Sequence, residues 1–85
     1  MEYFIFVTAS RTDAIGINAR LKEKGIKSSV VSTPKEAGLG CGLSVKIPTT
    51  DYFFAIRIIS QAKKYSVKGV YKVSETPFGK TIKRL

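Results

Sequence analysis

The sequence predicts an α+β fold: a ferredoxin-like βαββαβ sandwich whose four-stranded antiparallel sheet carries two helices on one face. Three observations lead to this prediction. The chain has 85 residues, which is the size of one small domain. The spacing of its apolar residues gives the element order β-α-β-β-α-β. The right-handed crossover expected of each strand–helix–strand unit then places both helices on the same side of one sheet.

The first half of the chain contains a strand, a helix and a second strand. Residues 3–8, YFIFVT, are aromatic and β-branched, which indicates a central strand. Ser10 stands where a helix-capping residue is expected, so a helix is predicted over 11–24, and Gly25 is suited to end it. Residues 26–32 predict a less apolar strand. The apolar residues of the helix share one face: Ala14, Ile17 and Leu21.

The second half of the chain repeats this pattern. Residues 43–47, LSVKI, alternate apolar and polar, which indicates a half-buried strand ended by Pro48. Thr49 or Thr50 is expected to cap a second helix, and residues 67–73 predict the fourth strand. The apolar stripe predicted for the second helix comprises Tyr52, Ala55, Ile56, Ile59 and Ala62, widened by Phe53 and Ile58.

One domain is predicted over residues 1–74, followed by a basic C-terminal tail over 75–85. A turn is expected within the tail, between Pro77 and Gly79. The face of the sheet without helices should be open and should carry Phe4 and Phe6 or their alternating neighbours. An open apolar face of this kind favours a homodimer.

Composition limits the classes of function. Fifteen Lys and Arg against six Asp and Glu give a net charge of +9, which favours acidic partners. A single Cys and the absence of His exclude an internal disulfide, a Cys–His hydrolase and a zinc or iron–sulfur site built by one chain. We expect no cofactor and no metal. The lack of a secretory signal or a membrane span predicts a cytoplasmic protein with no membrane partner.

The only cysteine lies on the most glycine-rich stretch of the chain, TPKEAGLGCGLS, residues 33–44. Glycines on both sides of Cys41 leave backbone amides unshielded and allow positive φ angles, so successive N–H groups can converge on an anion. Lys35 and Lys46 are near in sequence and add positive charge, which favours a thiolate. A lone thiol of this kind can carry a group or exchange it with the thiol of a partner.

Two other classes of function remain open from the residues alone. The first is a basic ferredoxin-like binding module for RNA or a phosphorylated ligand, in which Cys41 is structural and the aromatic residues of the first strand stack on bases. The second is a structural dimerisation module. The basic patch that the first alternative requires would comprise Lys63, Lys64, Lys68, Lys72, Lys80, Lys83 and Arg84.

The chain resembles the small bacterial family of Se/S carrier protein-like domains over about residues 3–73. The resemblance rests on the aromatic-aliphatic opening over 3–8, the phrase LKEKGI over 21–26, the segment TPKEAGLGCGLSVKI over 33–47 and the ending GVYKV over 69–73. The chain departs from the family pattern at Lys35, where Arg is frequent. It also departs between Pro34 and Cys41, where Ile and Ser or Thr are frequent.

This resemblance implies a sulfur or selenium carrier. Cys41 would accept a persulfide or selenosulfide from a donor protein and pass it to an acceptor enzyme, so the chain would act as a carrier more than as an enzyme with its own turnover. Pro34 would fix the approach of the loop, the glycines would expose the thiol, and the lysines would stabilise the anion. The expected cargo loop comprises Thr33, Pro34, Lys35, Gly40, Gly42 and Lys46 around Cys41.

Overall fold

A computed structural model of the chain describes residues 1–38 and 42–85, which form a five-stranded antiparallel sheet and two α-helices. The strand order is β2-β3-β1-β4-β5, and each neighbouring pair is antiparallel. Short 3-10 turns over Lys35–Ala37 and Thr49–Asp51 flank β3. The elements in chain order are β1 Glu2–Thr8, α1 Arg11–Glu23, β2 Ser29–Ser32, β3 Leu43–Pro48, α2 Tyr52–Ala62, β4 Val67–Thr76 and β5 Gly79–Arg84.

The fifth strand corrects the predicted sheet of four strands. β4 continues to Thr76, and β5 pairs with it from Gly79 to Arg84, so the segment expected to be a tail contains a sheet strand. The connecting turn is held by the Thr76 hydroxyl, which accepts from the Phe78 N–H at 3.2 Å and donates to the Gly79 carbonyl at 3.3 Å. The α+β class is confirmed. The ferredoxin-like relationship and the domain boundary after residue 74 stay predictions.

The first helix begins and ends as its local sequence predicts. The Ser10 hydroxyl oxygen accepts a hydrogen bond from the Asp13 N–H at 3.0 Å, which satisfies a backbone donor that the first turn leaves free. Gly25 follows the helix at φ +85°, a conformation that glycine adopts without the steric cost of a side chain. Ala14, Ile17 and Leu21 are buried as predicted.

The second helix differs from the prediction at its start and on its surface. No threonine side chain caps it, because residues 49–51 form the 3-10 turn and the helix begins at Tyr52. Phe53 is 83% exposed and does not widen the buried stripe. It lies two positions before buried Ala55, which is roughly 200° around a helix of 3.6 residues per turn, so the two side chains point in opposite directions.

One face of the sheet, the helix face, packs against both helices. Phe6 of β1 and Val45 and Ile47 of β3 lie in one apolar cluster with buried residues of α1 and α2. The ring of Tyr52 closes this cluster near the start of α2, with its centroid 4.4 Å from that of Phe4. Because both helices contribute to the same cluster, both lie on the same side of the sheet. Their buried residues are Ala14, Ile17, Leu21, Ala55 and Ile58.

The opposite face of the sheet, the second face, is covered, so the prediction of an open face is wrong. Its central residues are the alternating neighbours of Phe4 and Phe6, and they are 8%, 1% and 0% exposed: Tyr3, Ile5 and Val7. Ala37, from the 3-10 turn after β2, packs on them and is fully buried. Ile82 of β5 packs at the side of the same cluster. A homodimer through an exposed second face therefore loses its structural basis.

Candidate functional site

The loop over residues 33–42, called loop 33–42 below, leaves the sheet between β2 and β3 and is closed at its base. The Thr33 N–H donates to the Gly42 carbonyl at 2.8 Å, one step beyond the last β2–β3 pair, Ser32 with Leu43. The two ends of the loop therefore lie side by side where they leave the sheet. Cys41 and Gly40 of the predicted cargo loop lie outside the described residues, as does residue 39.

Three hydroxyl groups fix the base of this loop from inside. The hydroxyl oxygens of Thr33 and Ser44 are 2.6 Å apart and share a hydrogen bond. The Thr8 hydroxyl donates to the Ser10 carbonyl at 2.9 Å and lies 3.3 Å from the Leu43 carbonyl. Thr8 and Ser44 are completely buried and Thr33 is half-buried, so one hydroxyl of each bond is shielded from water. The base of the loop is thus tied to the central strand β1 and to the start of α1.

The first half of the loop folds back over the second face. Pro34 has an extended backbone, φ −61° and ψ 151°, and its carbonyl accepts from the Ala37 N–H at 3.0 Å. This tight turn places the Ala37 side chain in the same apolar cluster as Ile5 and Val7, and the turn Lys35–Ala37 also contacts β5. A short, fully buried side chain therefore anchors the loop across the sheet, while Lys35 stays exposed.

Glycine is required at position 42 by its backbone conformation. Gly42 has φ +91°, a region that side-chain-bearing residues rarely occupy, and an added Cβ would meet nothing within 4 Å. The restriction therefore comes from the chain's own dihedral angle and not from a crowded surrounding. Gly42 is exposed and is the residue that directly follows Cys41.

Lys46 is directed away from the base of loop 33–42. Its ammonium lies 4.3 Å from the centre of the Tyr3 ring, in cation–π contact. Tyr3 pairs with Pro48, at the end of β3 that is remote from Gly42. The structure thus brings Thr33, Pro34, Lys35 and Gly42 together and places Lys46 in a second group with Tyr3.

That second group includes a carboxylate. The Tyr3 hydroxyl donates to Glu75 Oε1 at 2.6 Å. Burial raises the pKa of Tyr3 to about 12, and the hydrogen bond to Glu75 adds to the effect. The same hydrogen bond lowers the pKa of Glu75 from 4.5, with Lys80 and Lys46 contributing attraction. Lys46 and Glu75 therefore compensate each other in charge around a buried tyrosine.

The basic residues predicted to form one patch are divided between the two faces of the sheet. Lys72 lies on the helix face, because it stands between the second-face residues Tyr71 and Val73 along β4. Its ammonium is 3.5 Å from a Glu2 carboxylate oxygen. Arg84 pairs with Tyr71 and lies over its ring at 5.8 Å. Of the first-strand aromatics proposed for base stacking, Tyr3 is 8% and Phe6 0% exposed, and Phe4 is half-buried against the Tyr52 ring. These placements give no support to the RNA-binding alternative.

Two contributors to the site were missed by sequence reasoning. Ser44 was expected only as a polar residue of an alternating strand, and Ala37 was expected only as part of a glycine-rich loop. The alternation in LSVKI does contain a signal for Ser44, because it places residue 44 opposite to Val45 and Ile47. A single buried alanine between a charged residue and a glycine gives no such signal.

The described residues, 1–38 and 42–85, offer neither a metal-binding cluster nor a membrane-spanning helix. Within these ranges no group of three or more His, Cys, Asp or Glu residues could hold a metal ion. The two α-helices described there have 13 and 11 residues, and neither is long and apolar enough to cross a membrane.

Comparison with known proteins gives one result for this chain. The model of the family described as "Putative Se/S carrier protein-like" matches residues 2–72, which include the whole of loop 33–42 and its cysteine. Neither a curated protein nor a solved structure matches the chain.

Proposed function

The chain belongs to the Se/S carrier protein-like family, and from this membership we propose that it carries sulfur or selenium on Cys41 and delivers it to a partner enzyme. The observation that carries the proposal is the extent of the family match. It runs from β1 into β4 and includes the one thiol that the chain possesses. A carrier with one thiol must use that thiol for the bond to its cargo.

The proposed chemistry is two successive exchanges at sulfur. The Cys41 thiolate attacks the outer sulfur of a persulfide on a donor protein, a new S–S bond forms, and the donor thiolate leaves. A nucleophile in the acceptor then attacks the outer sulfur on Cys41 and takes it, and the Cys41 thiolate is the leaving group. Each step replaces one bond to the transferred atom by another, so no external oxidant or reductant is consumed. When the outer atom is selenium, the nucleophile attacks selenium and the thiolate leaves, so selenium is transferred in the same way.

The described part of loop 33–42 supports this proposal mechanically. The Thr33–Gly42 and Thr33–Ser44 hydrogen bonds hold the base of the loop, and buried Ala37 holds its first half on the sheet. A fixed base reduces the conformational entropy that a partner must remove when it engages the loop. Glycine at 40 and 42 places no side chain next to Cys41 along the chain, which suits backbone amides to hold a bound anion.

Lys35 is the cation that this proposal places nearest to the cargo. It belongs to loop 33–42 and is exposed, so its ammonium is free to approach an anionic sulfur or selenium. Lys46 has the same role in the proposal only if it leaves the Tyr3 ring, to which it is 4.3 Å distant. Pro34 acts earlier, because its fixed φ directs the chain from β2 into the turn that carries Lys35.

Donor and acceptor proteins are proposed to present acidic surfaces. The end of the sheet from which loop 33–42 emerges also holds the start of α1, the start of β4 and the end of β5. Arg11, Lys68 and Arg84 are exposed there, and the Arg84 guanidinium donates to the Lys68 carbonyl at 3.4 Å. Positive charge around the loop steers an acidic partner toward it and accelerates encounter.

Intact-mass measurement tests the proposal. The purified protein is incubated with a cysteine desulfurase and cysteine, desalted without reductant, and weighed beside a Cys41→Ser variant. We expect a gain of one sulfur atom in the wild type, which a thiol reductant removes and which the variant lacks. The proposal fails if the desulfurase carries its own persulfide under these conditions and the wild type gains no sulfur.

A further inference from the structure

We propose that the outer edge of β5, which is paired with no other strand of the described residues, binds an extended, acidic segment of a partner protein as a sixth strand of the sheet. β5 is the last strand in the order β2-β3-β1-β4-β5. Five of its six residues are exposed, Ile82 being half-buried, which distinguishes it from the other strands. An exposed strand edge is a template for a further strand, and its side chains decide which strand is accepted.

The hydrogen-bond register shows which backbone groups of β5 face outward. The Leu85 N–H donates to the Val70 carbonyl at 2.9 Å, so residues 85, 83 and 81 are the ones bonded to β4. The N–H and C=O groups of the alternate residues, Lys80, Ile82 and Arg84, then point away from β4. Each of these three residues can exchange two hydrogen bonds with a facing residue of an added antiparallel strand.

Charge selects an acidic strand and disfavours a second copy of β5. Every charged side chain of β5 is basic: Lys80, Lys83 and Arg84. Two copies paired antiparallel about Ile82 would place Lys80 of each directly opposite Arg84 of the other on the same face, and like charges in that position are destabilising. The same lysines and arginine attract carboxylates from a facing strand. Lysines on an edge strand thus reject indiscriminate pairing and admit an acidic partner.

The edge is also held in strand conformation before any partner arrives. The Thr76 hydroxyl bonds fix the β4–β5 turn, Ile82 packs into the second-face cluster, and Arg84 lies over the Tyr71 ring. Preorganisation lowers the cost of ordering a bound segment. An added strand would also run beside the Lys35–Ala37 turn, which contacts β5, so the partner would be held near loop 33–42.

The register defines a test peptide. Read antiparallel to β5, a facing strand meets Arg84, Lys83, Ile82, Thr81 and Lys80 in that order. Carboxylates opposite the three cations, with an apolar residue opposite Ile82, give the sequence Glu-Glu-Val-Thr-Glu. A capped synthetic peptide containing it is the probe, and the same peptide with Gln in place of each Glu is its control.

The peptide is titrated into the ¹⁵N-labelled full chain and followed by amide chemical shifts and hydrogen exchange. We expect the largest shifts and new protection at the Ile82 amide, and affinity about tenfold weaker for Lys83→Glu and for the Gln peptide. Lys22→Glu, the same charge change on exposed α1, should alter affinity by less than about twofold. Lys83 has no role in the core and faces Lys72 across the ladder, so its reversal leaves the fold intact.

Several results would overturn the proposal. Equal effects of Lys83→Glu and Lys22→Glu would show attraction by net charge alone. Shifts confined to β2 would place the peptide at the other edge. Concentration-dependent shifts of β5 without peptide would show that a second copy occupies the edge. Cys41→Ser should bind the peptide as the wild type does, so this test stands or fails separately from the proposed carrier chemistry.

Discussion

The hydrogen bond between Thr33 and Ser44 makes a sharp prediction for the base of loop 33–42. Replacing Thr33 by Val keeps the side-chain shape and removes the partner of the Ser44 hydroxyl, which is 0% exposed. An unsatisfied buried hydroxyl costs about 1–3 kcal/mol. A chain of 85 residues has a total stability of about 4–13 kcal/mol, so this loss is a large share of it. Each kcal/mol lost lowers Tm by roughly 4–8 °C for a domain of this size.

Removing the other hydroxyl of the pair should lower the free energy of unfolding by less. Ser44→Ala leaves the Thr33 hydroxyl without its partner, but Thr33 is only half-buried and its hydroxyl can turn to water. We expect a loss of about 0.5–1.5 kcal/mol. The double variant removes both hydroxyls, so no buried group remains unsatisfied, and its loss should fall below the sum of the single losses by about 1 kcal/mol or more.

Urea unfolding followed by circular dichroism gives the free energy of unfolding of the three variants, which can be compared if the dependence on urea concentration, m, is the same in all of them. Thr12→Val, a matched change on the exposed surface of α1, should stay within about 0.5 kcal/mol of the wild type. Strictly additive losses, or a Thr33→Val variant as stable as Thr12→Val, would refute the view that this bond is buried and holds the loop.

Three further predictions concern backbone strain and titration. Gly42→Ala and Gly25→Ala, at φ +91° and +85° with open space around both, should each lose about 1–2 kcal/mol in urea unfolding, whereas asparagine at either site should lose less. Tyr3, whose pKa is raised to about 12, should stabilise the fold fully below pH 10 and lose that contribution as pH rises through about 12. Ultraviolet titration should show the phenol ionising near pH 12, and the free energy of unfolding should fall between pH 10 and 12; a free energy that stays constant in this range contradicts the prediction. Glu75, whose pKa is lowered, contributes stability above its unfolded value near 4.5 and loses it as pH falls through the folded value, so Tyr3→Phe should raise the Glu75 midpoint in a carboxyl NMR titration, and an unmoved midpoint would refute the contact.

Local rules predicted the parts of the fold that local chemistry decides. Ser10 and Gly25 mark the two ends of α1 because a hydroxyl acceptor and a positive φ are needed at those positions whatever the helix packs against. The alternation of LSVKI correctly placed Val45 and Ile47 in the core. In loop 33–42 the same holds for Gly42, whose positive φ was predicted from its place in a glycine-rich loop; the roles of the site residues stay predictions.

The features that were missed depend on contacts between distant segments. β5 has one apolar residue that packs, Ile82, and it is held mainly by backbone hydrogen bonds to β4 and by contacts of Arg84 with Tyr71 and Lys68, so its sequence resembles a basic tail. The covering of the second face depends on Ala37, whose burial follows from where the loop crosses the sheet. The misplacement of Phe53 is of another kind, because its angle around α2, a local property, already points it away from the buried stripe that it was predicted to widen.

The central claim is that Cys41 holds an atom of sulfur that it can give away. Protein loaded by a cysteine desulfurase is freed of enzyme and cysteine and treated with cyanide, a small acceptor that removes the outer sulfur of a persulfide as thiocyanate and restores the thiolate. The account predicts close to one thiocyanate for each wild-type chain and none for Cys41→Ser. Thiocyanate yields that are equal in the two proteins, or absent from a wild type exposed to an active desulfurase, would contradict it.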